Sequence, residues 1–165
     1  MEKMIETAYR GMDLASQNMH SLKIPIRVGD RQIALLKKMR MVQRQNADGL
    51  VNNLSWALYR KSDEDFPHNG ITPPLLDTKN ADIIISGYFW HEAFDEGATL
   101  GVEGETIDFP EPGIVLIRQP QVYFYSSMAG GVGNGVGFYF YYEIKNVSSE
   151  DMIKYMIRDK GDNKG

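Results

Sequence analysis

Residues 113 to 147 constrain this chain most. They read GIVLIRQPQVYFYSSMAGGVGNGVGFYFYYEIKNV: two runs of β-branched and aromatic residues on either side of a glycine-rich loop. Such runs, bounded by turn residues, specify strands rather than helices. Within 138–147, Phe138, Phe140, Tyr142 and Ile144 alternate with Tyr139, Tyr141, Glu143 and Lys145. That is the pattern of a strand with one buried and one wet face. The segment reads as the central hairpin of a β-sandwich, with Pro120 forcing a bulge or an edge position because proline cannot donate to a ladder.

The other β signals fit around this hairpin. Residues 50–61 (LVNNLSWALYRK) put Leu50, Leu54, Trp56 and Leu58 on one face. Residues 82–94 (DIIISGYFWHEAF) are apolar on both faces, as in an interior or covered strand, and Gly87 marks a candidate bulge. Residues 31–45 fit both periods, and the neighbouring strands favour strand there. LKIPIRVGD (22–30) is extended, since Pro25 biases Ile24 away from helix, and Thr106 to Phe109 is a short strand. No strand-helix alternation is present, which argues against a parallel α/β sheet.

Helices are expected at both ends. Met1, Ile5, Ala8, Met12, Ala15 and Met19 recur in steps of four and three, one stripe of a helix over 1–20. Ser148 and Asp151 have capping-box spacing ahead of Met152, Ile153, Met156 and Ile157. The fold class is therefore mainly β: an antiparallel β-sandwich or jelly roll with an N-terminal helix and a short C-terminal helix. The boundaries are a helical arm over 1–22, a sandwich with its C-terminal helix over 23–158, and a polar, disordered tail over 159–165.

Composition narrows the function classes. Of 165 residues, 42% are hydrophobic and 24% charged, enough for a core and too balanced for a disordered chain. With no cysteine, thiolate metal sites and cysteine nucleophiles are excluded. No apolar run reaches the roughly 20 residues of a membrane span. Charge is uneven. Residues 1–61 hold 11 Lys/Arg against 5 Asp/Glu (+6), and residues 62–112 hold 1 against 12 (−11). Opposed blocks suit complementary contacts, within one chain or between copies, or equally two solvated faces.

Chemistry-bearing motifs are weak. The glycine loop is followed by a strand, so no helix N-terminus would meet a phosphate. His91 and Glu92 point to opposite strand faces and cannot share a metal there, leaving only a His91 site completed by Asp95. The acids Asp63, Glu64, Asp65 and Asp77 lack EF-hand spacing. Arg27, Arg31, Lys37, Lys38, Arg40 and Arg44 are the candidates for contact with nucleic-acid phosphates. No catalytic residue, metal or cofactor is assigned.

The order of elements, NLSWALYRK, IIISGYFWHEAF, IVLIRQPQVYFYSS and VGFYFYYEIKNVSSEDMIKYM, resembles small single-jelly-roll structural proteins of virions across residues 24–157. The resemblance implies a non-enzymatic subunit that assembles in many copies, with other virion proteins and non-specific nucleic acid as further partners. It implies location in a virion, the alternative being the cytoplasm. Met1, Ile5, Met12 and Met19 of the arm and Trp90, Tyr139 and Tyr141 of the strands are the candidate interface residues. The alternative is a β-sandwich binding module for a glycan or a protein.

Overall fold

The computed structural model describes residues 5–13, 19–45, 51–60, 83–92, 101–126 and 135–161. The described elements are strands β1 (Glu6–Asp13), β2 (Met19–Lys23), β3 (Gln32–Gln45), β4 (Val51–Tyr59), β5 (Ile83–Glu92), β6 (Gly101–Asp108), β7 (Ile114–Leu116), β8 (Gln121–Ser126) and β9 (Gly135–Asn146), then helix α1 (Ser149–Gly161). One sheet has the order β1-β9-β3-β6, with β7 also paired to β3, and the other has the order β2-β8-β4-β5. Every pairing is antiparallel. The inner faces share one core, in which Ala8, Leu36, Met39, Phe138 and Phe140 of the first sheet meet Trp56, Leu58 and Val122 of the second. The chain is a mainly β, antiparallel sandwich with one helix near its C-terminus.

Two expectations are corrected. The helix read over residues 1–20 is not seen among the described residues of that stretch: Glu6–Asp13 is β1, paired along its whole length with β9, and Met19–Lys23 is β2, paired with β8. A stripe of helical period also contains alternation, and Thr7, Ala8 and Tyr9 fit either. The edge of β9 decides, because pairing with β1 satisfies a row of its backbone groups that a helix lying elsewhere would leave to water. The central hairpin is not a hairpin either. β8 and β9 lie in different sheets, so residues 113–147 cross the sandwich.

Finer readings fared unevenly. Pro120 does interrupt the first run, but it sits just before β8, where its carbonyl accepts a hydrogen bond from Ile24 N (3.0 Å). The β4–β5 register shifts at Leu58/Tyr59, opposite Ile83 and Ile85, so the irregularity is at Ile84. Gly87 instead makes room for the buried indole of Trp56, which a Cβ there would meet at 2.5 Å. β5, read as an interior or covered strand, is the last strand of its sheet among the described residues. The extended 22–29 segment, the strand over 31–45 and the α1 cap are present. Ser148 Oγ accepts from Asp151 N (3.1 Å) and donates to Asp151 Oδ2 (2.8 Å). That bond and Lys154 hold the Asp151 carboxyl below the usual carboxylate range.

Helix α1 packs on part of the outer face of the five-stranded sheet. Met152 packs with Ile33 and Leu35 of β3, joined by Val115, Ile117, Val147 and Tyr155. The flank beside this contact is bare: Ile153, Met156 and Ile157 are 57%, 44% and 65% exposed. Among the described residues no helix is long and apolar enough to cross a membrane.

Candidate binding face on the five-stranded sheet

The part of that outer face beyond the helix is the candidate site. Strand alternation places it: Phe138, Phe140 and Tyr142 point into the core, and Tyr139, Tyr141 and Glu143 point away. β3 does the same, with Met39 and Met41 inside and Lys38 and Arg40 outside, opposite Tyr141 and Tyr139. Tyr9 of β1 stands opposite Tyr139, and their rings lie 4.6 Å apart, tilted by 38°. The paired glycines Gly11 and Gly137 leave the floor free for the Tyr9 ring, which would collide with a Cβ at either position.

Beside this aromatic pair is a basin of about 730 Å³ whose lining includes Ile5, Lys38, Arg40, Thr106, Asp108 and Tyr141. It mixes charges of both signs with apolar surface. Lys38 Nζ pairs with Asp108 Oδ1 at 3.2 Å, but both groups are largely exposed, so the pair adds little stability. On the core side, Tyr142 is buried and hydrogen-bonds Glu6. Burial first, and then that carboxylate, push the Tyr142 hydroxyl above the ordinary tyrosine range.

Lys37 is different. The β3–β9 register shifts between Leu36 and Lys38, which makes Lys37 the extra, bulged residue. Here β3 changes partner from β7 to β6. Its ammonium donates to Glu111 Oε2 and to the Pro112 carbonyl, each at 2.7 Å, and lies 3.9 Å from Glu143 Oε2. Its own carbonyl accepts from Phe109 N (2.9 Å). Lys37 therefore clamps the turn joining β6 to β7, where Gly113 has φ +102 and a Cβ would meet the Leu36 carbonyl oxygen at 2.7 Å. Glu143 is buried, and its Oε2 has no hydrogen-bond partner, so Lys37 supplies much of its charge compensation.

Lys37→Ala is expected to lower stability by about 2–3 kcal/mol, because it leaves a buried carboxylate with Lys145, at 3.9 Å, as its one remaining cation among the described residues. Urea denaturation measures this. A loss below about 0.5 kcal/mol, ordinary for a surface change, would mean that the lysine does not hold the turn.

The basic residues read as a nucleic-acid surface are thus divided. Lys37, Lys38 and Arg40 all line the basin, Lys37 with its ammonium held by the turn. Arg27 and Arg31 lie before β3 begins, and Arg31 O accepts from Val147 N (2.9 Å). Nine residues along a strand put Arg31 about 30 Å from Arg40. Among the interface candidates, Ile5, Tyr139 and Tyr141 come together at this face. For Met12, Met19, Trp90 and Arg44 the structure describes strand positions alone, and Met1 lies outside the described residues. So do Asp63, Glu64, Asp65, Asp77, Asp95 and the centre of the glycine loop. His91 is opposite Asn52 in the β4–β5 ladder. Among the described residues no three His, Cys, Asp or Glu side chains could hold a metal ion.

No protein-family model matches the chain, and no curated protein is significantly similar to it. Tyr9 is not singled out by the sequence, and of the apolar side of α1 only Met152 is buried while Ile153, Met156 and Ile157 stay exposed. The alternation of Thr7, Tyr9 and Gly11 was the available signal for Tyr9, and the helical stripe across the same residues masked it.

Proposed function

We propose that the chain is a structural, self-assembling subunit with a jelly-roll fold, of the kind that builds a virion shell. The observation that carries this reading is the strand order. With β7 set aside as a three-residue addition to β3, eight strands form two four-stranded sheets, β1-β9-β3-β6 and β2-β8-β4-β5. This order supports the reading, because two four-stranded antiparallel sheets with crossovers between them are what a double Greek-key jelly roll requires, an architecture used by viral capsid and lectin domains. Fold alone does not assign function. Apolar exposure adds the second support: Ile153, Met156 and Ile157 on α1, and Ile5 and Tyr9 beside the basin, are large apolar groups at the surface. Contiguous apolar surface on a small domain favours association.

Light scattering behind size exclusion, over a wide concentration range, tests the reading together with negative-stain microscopy. The expected result is mass well above the 18.7 kDa of one chain, with closed particles or rings. A monomer at every concentration, with no particles, would sink it. The second reading is a glycan- or protein-binding module. The basin beside Tyr141 favours it, since an aromatic ring with donors and acceptors at its rim suits a polyhydroxylated ligand. A monomer that is retained on a glycan array would favour this alternative.

A further inference from the structure

A second pocket lies where the end of β4, strand β7 and the last turns of α1 meet. Its volume is about 280 Å³. Ile114, Val115 and Ile117 form apolar walls, and Arg60, Tyr155 and Arg158 are its polar groups. Two guanidinium groups and a phenol line it, and no carboxylate does. Arg60 Nε is buried and has no hydrogen-bond partner. The nearby Pro112 carbonyl already accepts from Lys37 Nζ, so part of its capacity is taken.

A cation in the last turns of a helix needs no ligand to explain it, because it complements the helix dipole. Arg158 alone would therefore mean little. Arg60 is another matter: a buried guanidinium N–H without an acceptor is costly, and such groups require a partner. The planar fork of arginine matches the oxygens of a carboxylate or a phosphate. The apolar walls would take a hydrophobic group attached to that anion, and the volume limits it to a small one.

We infer that this pocket binds an oxyanion joined to a small apolar group, with Arg60 and Arg158 holding the oxygens and the β7 side chains holding the apolar part. This site is separate from the sheet basin and does not depend on the assembly reading. The shared chemistry is the oxyanion, whose source is a phosphate monoester or a carboxylate.

Isothermal titration calorimetry on the full chain tests this, with phenyl phosphate, benzoate, inorganic phosphate and phenol as probes. Phenyl phosphate or benzoate should bind saturably and at least about tenfold more tightly than phenol, and inorganic phosphate should bind more weakly than phenyl phosphate. The tighter of the two aryl anions identifies the source. Arg60→Gln and Arg158→Gln should each weaken binding about tenfold or more. Arg158 is exposed on the helix, so its replacement keeps the test valid if the Arg60 variant fails to fold. Binding no tighter than phenol, or an unchanged affinity in the Arg158→Gln chain, would overturn the inference.

Discussion

A chain carrying Ile153→Ser, Met156→Ser and Ile157→Ser is expected to fold normally and to lose most of its self-association. The three positions lie three and four apart on α1 and form one stripe. They are already 57%, 44% and 65% exposed in the single chain, so replacing them removes little of its own packing. Met152 and Tyr155, which hold the helix on Ile33 and Leu35, are untouched. Serine and isoleucine have similar helix propensities, so the helix itself should persist. Fully burying one such side chain is worth about 1.5–3 kcal/mol. Burying the exposed parts of all three against a neighbouring copy is then worth about 3–5 kcal/mol, or roughly two to four orders of magnitude in affinity. Sedimentation velocity reads the association, and urea denaturation reads the fold. A variant that sediments like the parent chain would remove α1 from any interface.

How far the sequence spoke depends on the range of the interactions involved. The alternation in β9 was legible because each face is set by the strand's own residues, as was the cap of α1, where Ser148 and Asp151 are three positions apart. The hairpin error has the opposite origin. Adjacent runs in sequence are the default partners, but β8 pairs with β2 and β4, and β9 with β1 and β3. Those partners are far off in the chain, and no local pattern names them. The same holds for β1, whose helical stripe lost to an eight-residue ladder with β9.

The site shows the same division. Tyr139 and Tyr141 were placed on a wet face by alternation, and they line the outer side of the sheet. Lys37 was read as a phosphate contact because it is one of a basic group, yet its acceptors are Glu111 and the Pro112 carbonyl, on a turn brought to it by the register shift after Leu36. A bulge of that kind leaves no trace in residue types. Gly87 looked like a bulge for the converse reason: the ring that requires it belongs to Trp56, on the neighbouring strand.

Phe140→Ala should be the most destabilising single change considered, at about 3–5 kcal/mol. Phe140 is fully buried and stands between Ala8 of β1 and Met39 of β3 in the ladder. Removing its ring leaves a cavity that two hydrogen-bonded neighbours cannot easily close, since each is fixed by its own strand. β1 has β9 as its one ladder partner among the described strands, so the loss falls on the edge most recently won from the helical alternative. Tyr139→Ala, one residue away, removes a ring from the outer face and should cost only about 1 kcal/mol through its pairing with Tyr9. The contrast between the two, read from denaturation midpoints at constant slope, depends on strand alternation and on little else. Equal losses would mean that β9 does not present its phenylalanines inward, and both the core and the tyrosine face would have to be reassigned.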